Sequence, residues 1–110
     1  MEEKQETKKE KPEKDNKVYV GIKPFMNYVT AVVTQFQTKK QDEVFVIARG
    51  KFTSKAIDIV EVARRTHLKD DNIKVEDIKI GSNEFENKER EGKKIYVSTI
   101  EIKLVKELNQ

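Results

Sequence analysis

Two short segments place cations where a strand would hand over to a helix. Lys23 stands in Gly21-Ile22-Lys23-Pro24, directly after Val18-Tyr19-Val20, and Arg49-Gly50-Lys51 follows Val44-Phe45-Val46-Ile47-Ala48. The first turn of a helix presents unpaired N–H groups and carries partial positive charge. A lysine or arginine beside it works against the fold, whereas an anion is held well there, phosphate above all. Two such turns in one small chain point to a surface that holds a polyanion.

Other chemistries find few residues to carry them. The chain has no cysteine, which removes disulfides, thiolate metal sites and thiol catalysis and fits a reducing compartment. His67 is the only histidine, without a second His or Cys to share a metal, and reads as a surface or interface residue. No glycine-rich phosphate loop, nucleophile motif or histidine dyad is present, and the acids show no paired spacing. The expectation is a binding protein rather than an enzyme, with no cofactor and no metal. Arg64 and Arg65 read as cations closing a helix, and Phe25 and Tyr28 as core or rim residues.

The elements that must position the two turns follow from length and pattern. A chain of 110 residues is enough for one domain. Charged residues make up 39% and hydrophobic ones 35%, so the core is small and a partner subunit is expected to complete it. Formal net charge is +3, a weak pointer to nucleic acid by itself. No apolar run approaches the roughly 20 residues of a membrane span, and no signal-peptide core stands at the N-terminus, so the expectation is a cytoplasmic protein away from membranes. Residues 1–17 hold six lysines and six acids and read as a solvated tail, which leaves the whole excess charge in 18–110.

Within 18–110, Val18 to Val20 reads as a short strand. Pro24 suits the first position of a helix. Phe25, Val29, Val32, Val33 and Phe36 form one apolar helical face that ends near Gln37 to Lys40. Glu43 to Ala48 is apolar on both faces, as in a central strand covered by helices. Thr53 or Ser54 is expected to cap a second helix reaching about Thr66, with Asp58 complementing its dipole.

That second helix has a narrow polar stripe of Asp58, Glu61 and Arg65 and apolar residues nearly everywhere else. One sheet face needs only about a 100° apolar arc, so the surplus implies a subunit interface. Two long strands follow, over about Lys74 to Asn87 and Lys93 to Lys106. The change of parity between Ile73/Val75 and Ile78/Ile80 predicts a bulge or a later strand start. Lys88-Glu89-Arg90-Glu91-Gly92 between them reads as a hairpin tip. The fold class is therefore α+β, a compact two-layer β-α-β-α-β-β domain with a long C-terminal β-hairpin arm. Right-handed crossovers make the first two strands parallel and bring both strand–helix turns to one end of the sheet.

Gly21-Ile22-Lys23-Pro24-Phe25-Met26-Asn27-Tyr28-Val29 resembles the opening motif of the Alba family of archaeal chromatin proteins. Ala48-Arg49-Gly50-Lys51 with Ser54-Lys55-Ala56-Ile57-Asp58 is similar to the second motif of that family. Gly81-Ser82 and Val97-Ser98-Thr99-Ile100-Glu101-Ile102 match its closing strands. The resemblance runs from about Val18 to Leu104. It implies a homodimer, or a heterodimer with a paralogue, that binds double-stranded DNA and RNA on the chromosome with little sequence preference. By position, Lys23, Arg49, Gly50, Lys51 and Lys55 would meet phosphates from the body, and Lys88, Arg90, Lys93 and Lys94 from the arm. RNA as the main partner, and a protein-recruiting dimeric scaffold, are the alternatives.

Three features depart from the family pattern. Ile22 replaces the first of two lysines before the proline, the one associated with acetylation, which removes one phosphate contact per subunit. His67 stands where an aromatic residue packs neighbouring dimers. Glu84, Glu86, Glu89 and Glu91 make the arm less basic than is usual.

Overall fold

The computed structural model describes residues 15–87 and 92–107. Strand β1 (Lys17–Tyr19) leads to helix α1 (Phe25–Gln37), strand β2 (Glu43–Arg49) and a single 3-10 turn, Gly50–Phe52. Helix α2 (Thr53–Arg65) and the long strands β3 (Ile73–Asn87) and β4 (Lys93–Lys106) complete the order. The sheet runs β1-β2-β4-β3, with β1 parallel to β2 and the other pairs antiparallel. The expected order and the parallel first pair are both present. Of the tract expected as a tail, residues 1–14 lie outside the described residues. Lys17 pairs with Phe45, and buried Asn16 donates from Nδ2 to the Glu43 carbonyl at 3.0 Å, so both belong to the folded body.

Both helices pack on one face of the sheet. Val29, Val32 and Phe36 of α1 and Ala56, Ile59, Val60 and Ala63 of α2 meet Val44, Val46 and Ala48 of β2 and Ile100, Ile102 and Leu104 of β4. Phe25 and Val33 are only partly buried at the rim of this core. The central strand is not covered on both sides as its composition predicts. Val44, Val46 and Ala48 are buried while Phe45 and Ile47 remain half-buried on the open face. Two helices suffice for only one layer, and a continuous apolar run does not reveal whether a second layer exists.

The bulge falls where the parity shift predicts it. The register of β3 against β4 slips between Val75 and Asp77, so Val75 and Ile78 both face the helix side. Past the last β2–β4 pair, Arg49 with Thr99, six further pairs from Ser82–Ser98 to Asn87–Lys93 bond only to each other. At about 3.4 Å per residue they form an arm about 20 Å long. All four residues expected at its tip before Gly92, Lys88 to Glu91, lie outside the described residues.

Helix starts differ from expectation in an informative way. Pro24 is the residue before α1 rather than its first residue, and α2 begins after the 3-10 turn at Phe52. Neither helix has a side-chain cap, so Thr53 and Ser54 do not cap α2. Neither has an acid in its first turn: Asp58 sits in the second, beyond the reach of the dipole's end charge. The last turn of α2 carries Arg64 and Arg65, as its dipole favours.

Candidate nucleic-acid interface

The two cationic turns meet at one end of the sheet, tied together by Lys55. Its Nζ donates to the carbonyl oxygens of Gly21 and Lys23, each at 2.7 Å, so the first turn of α2 clamps the loop before α1. The same ammonium lies 5.1 Å from the Tyr28 ring centroid and 5.7 Å from that of Phe52. Tyr28 is buried, and its hydroxyl accepts from the Lys23 backbone N–H at 3.1 Å. Tyr28 thus holds the first turn from within, and Lys55 positions it from the side. Two of the three Lys55 N–H donors are committed to this clamp.

Gly50 separates Arg49 from Lys51 for a conformational reason. Its φ is +62°, in the left-handed region, and a Cβ there would stand 3.4 Å from Val97 Cγ1. Arg49 and Lys51 flank that turn as exposed residues, and Arg49 lines a shared surface with Gly21. Lys23, Arg49 and Lys51 are all exposed, and among the described residues no carboxylate pairs with any of them. Their charge therefore faces solvent, beside two helix N-termini without caps or acids.

The arm is electrostatically different. Four acids and four cations between residues 82 and 98 balance. Lys93 and Lys94 are exposed, and Lys94 Nζ sits 2.9 Å from Glu84 on the facing strand. Lys88 and Arg90 lie outside the described residues. Arg49 reaches toward the arm, with its guanidinium carbon 5.7 Å from the Phe85 ring centroid. The body presents cations without acidic partners among the described residues, whereas the one ion pair described in the arm ties Lys94 to Glu84.

Elsewhere the cations serve the fold. Arg64 and Arg65 contact Glu61 at 2.7 and 3.3 Å, and Arg64 Nε also donates to the Ile73 carbonyl at 3.2 Å. The hydrogen bond from Arg64 foremost, with both guanidinium charges, holds the Glu61 carboxyl below its ordinary value against a smaller opposing effect of burial. Lys103 bridges Glu76 and Glu43 on the open face. Its ammonium is held above its ordinary value, chiefly by the hydrogen bond to Glu76. His67 is exposed, with Nδ1 3.0 Å from Thr66 Oγ1. Among the described residues no group of His, Cys, Asp and Glu is arranged to hold a metal ion, and no helix is long and apolar enough to cross a membrane.

The sequence pattern missed three aromatic residues at this end of the sheet. Tyr19 is 67% exposed, Phe85 lies under Arg49, and Phe52 lies under Lys51 and Lys55. Alternation along β1 gives Tyr19 a face opposite to buried Val18, a signal available once β1 is known to be an edge strand.

The family model described as Alba matches residues 16–82, which span both cationic turns, both helices and the root of the arm. The chain belongs to the Alba family. The DNA/RNA-binding protein Alba of Methanococcus maripaludis is 45% identical over 92 residues, covering 84% of this chain and 99% of that one. Its counterpart in Methanothrix thermoacetophila is 49% identical over 92 residues, covering 84% and 97%. The solved structure of Alba from Thermoplasma volcanium superposes with a TM-score of 0.72 at 40% identity, covering 83% of this chain and all of that one. At the Alba motif itself, Ile22 is 87% exposed, an apolar side chain presented to solvent beside Lys23.

Proposed function

We propose that this chain binds double-stranded DNA and RNA through their sugar-phosphate backbones, as a homodimeric chromosomal protein with little sequence preference. The observation that carries this reading is the convergence of Lys23, Arg49 and Lys51, unpaired with acids among the described residues, at one end of the sheet. Lysine and arginine point charges, with backbone amides at two helix starts, recognise phosphate oxygens and carry no base information. The names of the relatives, DNA/RNA-binding proteins, support the same ligand class.

The dimer rests on apolar surface that one chain leaves uncovered. Ile57 of α2 and Ile80 of β3 are 46% and 81% exposed, and with Ile100 they line a groove of about 560 Å³ between helix and arm. A second copy would bury this face and place two basic ends on one body. An Ile57→Asp, Ile80→Asp double variant is expected to sediment as a monomer; a wild-type chain that sediments as a monomer overturns the dimer.

The deciding experiment is a salt titration of affinity for unrelated DNA duplexes and for structured RNA at matched ionic strength. The reading requires log K to fall linearly with log salt and to differ little among duplex sequences. Binding independent of salt would refute it. The charge-balanced arm favours one second reading, RNA as the main partner, and direct competition between duplex DNA and RNA separates the two.

A further inference from the structure

The open face of the sheet contributes to a site of a different chemistry from the two cationic turns. Tyr19, Ile47, Arg49 and Thr99 share that face by register, and Asn83 follows on β3 with the same parity. Together with Phe52 they line a concave site of about 610 Å³. The site lies at the end of the sheet: half-buried Ile47 and exposed Tyr19 line it from the open face, and Phe52, packed against the helix-side core, with Val20 and Ala48 lines it from the other side. The Asn83 amide and the Thr99 hydroxyl supply donors and acceptors, and Arg49 supplies charge.

We infer that this site takes an unpaired nucleobase, stacked on Tyr19, from a single-stranded stretch of nucleic acid. This rests on the nucleic-acid-binding reading above and names a part of the ligand which that reading does not address. A duplex offers its partners phosphates and base edges, because its base faces are already stacked on one another. An exposed tyrosine beside an apolar lining is matched instead by the flat face of a base that has left the stack. The amide and hydroxyl then meet the edge of that base. Charge complementarity fixes the ligand class further. Gly21 also lines the site, and its carbonyl is bonded to Lys55 at the clamp between the two cationic turns. A strand entering the site therefore keeps its phosphates beside Arg49 and Lys23 while one base turns inward. The apolar lining disfavours a second phosphate in the same place, since burying an unpaired charge on Ile47 is costly.

The test uses the full chain and three probes of one sequence: single-stranded RNA, single-stranded DNA and the DNA duplex, the single strands carrying one fluorescent adenine analogue. Tyr19→Ala is expected to weaken both single strands by about 5- to 100-fold and to abolish the change in analogue fluorescence on binding, as loss of one base–aromatic stack does. Duplex affinity should stay within about twofold, because the phosphate contacts are intact. Tyr19→Phe should retain single-strand affinity, and Tyr19→Leu, which keeps bulk on β1, should lose it. Single-strand affinity unchanged by Tyr19→Ala, or single-strand and duplex affinity falling together, would overturn the stacking site alone. Failure of the wild-type chain to bind any of the three probes would instead overturn the parent reading.

Discussion

Removing Arg49 and Lys51 together tests the phosphate interface most sharply. Both side chains are exposed and unpaired with acids among the described residues, so the double Ala variant should lose only their ring contacts with Phe85 and Phe52, about 1–2 kcal/mol in all, and stay folded. Each lost phosphate contact flattens the dependence of log K on log salt by about 0.9 on duplex DNA. A dimer loses four such contacts, which flattens the slope by about 3.6 units. With the salt-independent part of binding unchanged, affinity falls about 4000-fold at about 0.1 M salt and about 80-fold at about 0.3 M. A chain acting alone loses two contacts, and the change is only about 1.8 units, or about 60-fold at 0.1 M. Fluorescence anisotropy across a salt series, on two duplexes of unrelated sequence, reads the slope directly. A slope equal to wild type, or a loss confined to one duplex, would refute the assignment of these residues to the backbone.

Three further outcomes follow from the local geometry. Lys55→Met removes two 2.7 Å charge-assisted bonds to Gly21 and Lys23 and should cost about 1–3 kcal/mol in urea unfolding, with weaker binding as the first turn loosens. Gly50→Ala places a side chain at φ +62° near Val97 and should cost about 1–2 kcal/mol, measured the same way. The Glu61 carboxyl is held below its ordinary value of 4.5, so its ion pairs add stability above that pH and lose it as pH falls through the lowered value. Glu61→Gln should therefore lower stability slightly at neutral pH, by under about 1 kcal/mol for so exposed a pair, and leave the acid end below the lowered value unchanged.

Much of this fold is legible as pattern because the pattern has a local cause. The apolar spacing from Phe25 to Phe36 is a helix's own period, and the parity shift near Val75 marks a bulge, because one inserted residue flips every side chain after it. Helix starts are less legible. Thr53 and Ser54 look like caps, but the left-handed Gly50 inserts a 3-10 turn and carries both past the capping position. The central strand misleads for another reason: Phe45 and Ile47 are apolar, yet among the described residues no second layer of helices reaches them. Lys55 is identifiable as a cation in a motif, while its role as a clamp depends on carbonyls 34 and 32 residues away.

Charge placement relative to strand–helix turns, element order and the surplus apolar face of α2 are properties of the chain itself, because each depends on residues near one another in sequence. The sequence alone thus determined that two cationic strand–helix turns exist and lie at the same end of the sheet. Only the tertiary structure decided that Lys55 locks those turns together and that Lys94 of the arm is held by Glu84 on the facing strand. It also decided that Tyr19, Phe52 and Asn83, from a strand, a turn and the arm, surround one concave site. Such sites arise where separate elements meet, and the distances between them are set by packing, which no local period encodes.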